Sequence, residues 1–249
     1  MFELTATQWV VVIAAAILIG IAKAGFVGAS IVVGPLLALL LPARLSTGFL
    51  LPMLIVGDVA AVVYWRKHVD FGRILRLIPS AVLGVIGGFL VLGRISDGSL
   101  MFVIGAMVLC LVTLTLWLEV YPQAGQFIPQ SRMLAATAGV TTGVTSMLTN
   151  SSPVMTIYLL ASRFRKEEFI ATNAWFFLLL NIFKLPFSRQ LDLITPASLM
   201  TNLFLIPVIL LGCAGGILLV RLIPQEAFNR VILFLAGLTA VILCIKPWL

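Results

Sequence analysis

Two stretches of this chain set polar and charged residues inside runs that are otherwise apolar. The first is GIAKAGFVGAS, residues 20–30, which carries Lys23, Gly25 and Gly28; the second is TSMLTNSSPVMT, residues 145–156, which carries Thr149, Asn150, Ser151 and Ser152. A lysine at membrane depth costs roughly 2.5–3.5 kcal/mol on insertion scales, so it faces a cavity, a partner or a ligand, or else snorkels to the interface. Glycines allow close approach to the backbone, and the start of the next half-helix offers free N–H groups and partial positive charge. Together these features suit an anion. In the second stretch the hydroxyls and the amide are donors, and Pro153 suits the first turn of a following half-helix, where its missing N–H is not needed. The same residues also serve as a helix cap. The chemistry on offer is reversible hydrogen bonding to an anion held between the two breaks.

Three more residues join this list. Asn181 and Lys184 are three apart in AWFFLLLNIFKLPF, which makes them neighbours on a helix. Asp58, in LPMLIVGDVAAVVYW, holds the corresponding place in the first half of the chain. An intramembrane carboxylate carries a proton or counter-cation, or forms a structural ion pair with a lysine.

Other chemistries lack their parts. His68 is the one histidine, so a histidine metal site or a Ser-His-Asp triad has nothing to build on. Cys110, Cys213 and Cys244 each stand alone in an apolar run, which predicts packing and no metal site. Lys23 is followed by Ala24 and no GK[ST] occurs, so there is no P-loop. No cofactor and no enzymatic activity are expected.

The residues of the two breaks must be positioned by elements that live in lipid. With 61% apolar residues, 10% charged and a mean hydropathy of +1.18, the chain departs from soluble domains, which are about half apolar and a quarter charged. Its apolar runs are long and continuous, which predicts an all-α polytopic transmembrane protein and not a barrel. The net charge of +7 is spread through short loops, a positive-inside pattern and not a nucleic-acid stripe. MFELTATQ has Glu3 and no basic residue, so the first helix is expected to remain in the mature protein.

The runs fall into two sets. A hairpin at 8–41, made of two short segments joined by the glycine break, precedes spans at 45–65, 77–92 and 100–118. After a linker at 119–131 the pattern begins again, with a hairpin at 133–161 and spans at 169–187, 196–220 and 228–245. Non-helical backbone at membrane depth must be buried or face water, which is why the breaks mark the working site. LIPSAVLGVIGG (77–88) and LIPVILLGCAGG (205–216) share seven of twelve residues, which predicts an internal duplication with repeats at 1–118 and 132–249. Five segments per repeat invert the second repeat and place ten Lys and Arg inside, four outside, and Lys23 and Lys184 within the membrane; four parallel spans per repeat would divide them seven and seven. The positive-inside rule prefers inversion, with both termini outside and the site at the repeat interface. Gly84, Gly87 and Gly88 and their counterparts Gly212, Gly215 and Gly216 predict close helix contact, within the protomer or across a homodimer. Trp9, Trp65, Trp117 and Trp248 fall near span ends as interface anchors. The basic loop at 66–76 is expected to set topology rather than to dock a lipid or a protein.

The stretches GIAKAGFVGAS, LLPMLIVGDVAAVVYWRKHVDFGRILRLIPSAVLGVIGG and FFLLLNIFKLPF, in this order, resemble the TauE/SafE sulfite exporter family over roughly residues 10–246. The resemblance implies secondary transport of sulfite, organosulfonates or related sulfur oxyanions across the bacterial cytoplasmic membrane. Many relatives are glycine-rich in the first break and also contain glycines in the second. Here the second reads TNSSP, which keeps the break and changes its donors. The alternatives are a passive anion channel and, from another class, an intramembrane enzyme or lipid-handling protein.

Overall fold

In lipid every backbone N–H and C=O must be satisfied within its own segment, so apolar runs of this length become helices. The computed structural model describes residues 4–26, 29–121, 131–152, 154–155, 158–159, 166–222 and 225–248, and among these all regular structure is helical. The helices are α1 (Ala6–Ala24), α2 (Ser30–Leu40), α3 (Ala43–Trp65), α4 (Phe71–Leu92), α5 (Asp97–Val120), α6 (Arg132–Thr149), α7 (Lys166–Gln190), α8 (Pro196–Leu222) and α9 (Gln225–Ile245). Seven of them are long and apolar enough to cross a membrane; α2 and α6 are the other two. The expected linker at 119–131 and the second part of the hairpin at 133–161 lie largely outside the described residues.

Local capping explains where the helices outrun the sequence reading. The sequence predicts that the hairpin at 8–41 opens with a short segment, but α1 has 19 residues. Thr5 and Gln8 form a capping box, each side chain accepting from the other's N–H, and the helix continues through Lys23. Likewise α4 begins six residues before the expected 77, because the Asp70 side chain accepts from the Arg73 N–H.

Polar side chains gather helix ends at two levels. At one, the Gln8 side chain donates to the Leu40 carbonyl (3.3 Å), so the end of α2 lies beside the start of α1. Lys246 donates to the Leu39 carbonyl (2.9 Å), and Arg44 donates to the Leu92 and Ile95 carbonyls (2.9 and 3.1 Å), placing cations on the loose carbonyls where α2 and α4 end. At the other, the Asp70 N–H donates to Thr172 Oγ1 (3.1 Å), which joins the α3–α4 turn to the beginning of α7.

Between these ends α1 runs along α8 and α4 along α6; α3 packs on both α7 and α8, and α9 on α5 and α2. Glycine meets glycine at the two tightest crossings. A methyl group at Gly20 would lie 2.6 Å from the Gly212 backbone, and one at Gly84 would lie 2.9 Å from Gly143 Cα. Such backbone contact is how helices associate where lipid removes the hydrophobic drive. The duplicated glycines therefore serve the protomer at Gly84, Gly88, Gly212 and Gly216, while a methyl group at Gly215 would meet nothing within 4 Å among the described residues. One expectation needs correcting: Cys110 is not packed inside but exposed on α5, and Cys213 and Cys244 are only partly covered.

Candidate functional site: a buried polar chain across four helices

The site begins at the last turn of α1. Gly25 ends the helix with φ 139, a conformation that L side chains rarely adopt. Its N–H bonds to the Ala22 carbonyl (3.3 Å) and the Phe26 N–H to the Ile21 carbonyl (3.4 Å), the paired bonds of a Schellman stop. Gly25 is thus accounted for by helix termination. Gly28 lies outside the described residues.

This stop leaves Lys23 one residue from the end of α1, with its side chain turned toward α3. Its ammonium forms an ion pair with Asp58, whose side chain is 0% exposed, and lies 5.5 Å from the centroid of the Phe177 ring. Gly57 makes room for the lysine stem: a methyl group there would meet Lys23 Cγ at 2.9 Å. Asp58 also accepts from Asn181 Nδ2 at 2.8 Å, so one carboxylate ties α1, α3 and α7 together.

Asn181 passes the chain on. Its Oδ1 accepts from Lys184 Nζ at 3.1 Å, one helical turn along α7. Lys184, 1% exposed, also donates to the Ser146 carbonyl (2.9 Å), Ser146 Oγ (3.1 Å) and Asn150 Oδ1 (2.7 Å). These last partners belong to the end of α6. Asn150 sits there in the left-handed region at φ 56, which asparagine tolerates better than most residues. Its Nδ2 donates to the Thr47 carbonyl (2.6 Å), returning the chain to α3.

The remaining donors of the second break surround this corner. Thr149 Oγ1 donates to the Thr145 carbonyl (2.9 Å) and accepts from the Ser151 N–H (3.2 Å). Ser152 is buried, and its hydroxyl has no hydrogen-bond partner among the described residues. The first break comes close through α2: a methyl group at Gly34 would lie 3.2 Å from the Thr149 carbonyl.

Lys23, Asp58, Asn150, Asn181 and Lys184 are therefore parts of one connected network, with Thr149, Ser151 and Ser152 beside its α6 end. Ser146, Thr47 and Gly57 belong to it as well, and sequence reasoning missed them. Ser146 had a detectable signal, since it stands one turn before Asn150. Thr47 had none, because it contributes a backbone carbonyl. Formally the network holds two lysines and one aspartate, a surplus of one positive charge in apolar surroundings.

A family model described as Sulfite exporter TauE/SafE matches residues 12–243. The chain belongs to the TauE/SafE sulfite exporter family. The match takes in both breaks and every residue of the network. No curated protein and no solved structure matches the chain. With the seven apolar helices, membership in TauE/SafE makes it a multi-pass membrane protein of a transporter family.

Proposed function

We propose that this TauE/SafE protein is a secondary transporter of a small sulfur-containing anion, sulfite or an organosulfonate, in the cytoplasmic membrane of a bacterium. The anion binds between two broken-helix regions at the interface of two inverted repeats. The observation that carries this reading is the setting of two lysines, Lys23 and Lys184, against one carboxylate, Asp58, in the network. Asp58 answers Lys23, whereas among the described residues Lys184 is met only by neutral oxygens, and an isolated buried charge is costly unless paired. An oxyanion reaching the end of α6 supplies that pairing by displacing one of those neutral oxygens from the Lys184 ammonium, with further hydrogen bonds from the hydroxyls of Ser151 and Ser152.

Two features of the packing support the inverted arrangement. The α1–α8 crossing has a counterpart in α6–α4, and α3 on α8 has one in α7 on α4. Gln8 on the Leu40 carbonyl brings α2 back to the side where α1 starts, as a hairpin requires.

Ser152 gives a clean test, because its buried hydroxyl has no bond to lose within the described residues. In proteoliposomes, the wild-type protein should accumulate labelled sulfite against its gradient, and an uncoupler should abolish the accumulation. Ser152→Ala should raise the sulfite KM several-fold while the unfolding midpoint stays level or rises. Downhill flux alone would make the protein a channel, and an unchanged KM in Ser152→Ala would remove this hydroxyl from the site.

A further inference from the structure

We propose that the cleft between the α3 and α8 surfaces, away from the buried network, binds one anionic phospholipid, with its phosphate on Arg66 and Lys67 and an acyl chain along the apolar wall. The cleft encloses about 840 Å³. Val59 and Val63 of α3 face Leu210 and Ala214 of α8 across it, and all four are exposed in the protomer. From Ile55 to Arg66 the α3 wall extends about 16 Å at the helical rise per residue. That is one leaflet's share of a hydrocarbon core about 30 Å thick.

At its mouth the character of the cleft changes. Arg66, Lys67 and His68 form the 3-10 turn that ends α3, all three are exposed, and Tyr64 stands beside them. The acid of this turn, Asp70, is paired with Arg73, and no salt bridge engages Arg66 or Lys67 among the described residues. An apolar wall one leaflet deep, ending in two uncompensated cations at interfacial height, has the same polarity profile as an anionic lipid. Basic pockets between transmembrane helices recognise such headgroups. A free anion would use only the mouth, and a zwitterionic lipid only the wall. The cleft shares no residue with the Lys23–Lys184 network, so this proposal stands apart from the transport reading.

The experiment follows the unfolding midpoint of the full chain in detergent as lipid is added. Phosphatidylglycerol at about a hundred times its Kd should raise the midpoint by about 5 °C or more beyond phosphatidylcholine with the same acyl chains. Arg66→Gln with Lys67→Gln should erase this difference by removing the headgroup contacts. Ala214→Phe should erase it by filling the wall, and it keeps every charge should the double variant fold poorly. Glycerol phosphate, a headgroup without chains, should give no shift. Equal shifts for the two lipids, a preference that survives in Ala214→Phe or in a folded Arg66→Gln/Lys67→Gln protein, or a full shift with glycerol phosphate would each overturn the proposal.

Discussion

Lys23 and Lys184 meet the same physical problem, an ammonium at membrane depth, with different partners. Lys184 is surrounded by oxygens from three residues, whereas Lys23 leans on one carboxylate and one aromatic face. Breaking a buried pair by removing one partner costs about 3–5 kcal/mol, mostly because the other charge is left unpaired. Lys23→Met should therefore destabilise the protein by about that much, since it strands Asp58, and should abolish transport. Lys23→Met combined with Asp58→Asn should recover most of the stability without restoring transport. Lys23→Arg should keep partial transport, because the charge persists but the planar fork and longer reach do not match an ammonium. Thermal unfolding in detergent, and labelled sulfite flux at matched protein per membrane area, check the set. Wild-type flux in the double variant would leave the pair a structural role only. These charged residues were legible in the sequence because charge in an apolar run is expensive and therefore conspicuous. That Lys23 would spend its charge on Asp58 was legible only as one of two options, since the choice depends on how α1 and α3 meet.

The glycines show what a helix reveals about itself and what it withholds. Their spacing in LIPSAVLGVIGG and LIPVILLGCAGG predicts close contact, and the structure gives the partners: α6 for the first, α1 for the second. Partner choice was not legible, because α1 and α8 lie at opposite ends of the chain and no local pattern names a helix so distant in sequence. Helix boundaries were legible to within a few residues except at α4, where Arg73 and Arg76 read as loop because they are charged. Contact geometry also separates glycines that look alike. Gly84→Ala would press a methyl group onto the α6 backbone at Val140 and Gly143, which cannot yield as a side chain can. It should cost about 1–3 kcal/mol as overpacking does. Among the described residues Gly87→Ala meets only Val144 Cγ2, at 3.8 Å. It should be neutral or stabilising by up to about 1 kcal/mol, the ordinary helix preference for alanine. Unfolding midpoints of the two variants decide the matter, and equal effects would contradict the close α4–α6 crossing.

For the whole molecule the sequence carried the class, a polytopic helical membrane protein, because composition and run length are properties of the entire chain. Orientation rests on the distribution of Lys and Arg. The structure sets the α3–α4 turn beside the start of α7 through Asp70 and Thr172. The α4–α5 turn lies beside the end of α7, where a methyl group at Gly93 would be 3.4 Å from Leu191 Cδ2. In a protein whose three cysteines have been replaced, His68→Cys and Glu167→Cys should resist a membrane-impermeant thiol reagent applied to intact cells. Arg94→Cys should react. Labelling of only one of the first two positions would rule out the proposed inversion.

The glycine-lined crossing of α1 with α8 has a consequence for how the protein is made. A ribosome releases α1 into the bilayer long before α8 exists, so the groove around Gly20 must wait in lipid while almost the whole chain is synthesised. Meanwhile Lys23 already has Asp58 within reach, because α3 follows soon after α1. Both partners of that ion pair are thus made early, while the α1–α8 backbone seam must wait for α8. Neither half of the chain contains both sides of that seam, and a nascent protein that stalls before α8 presents the translocation and quality-control machinery with bare backbone at the Gly20 face.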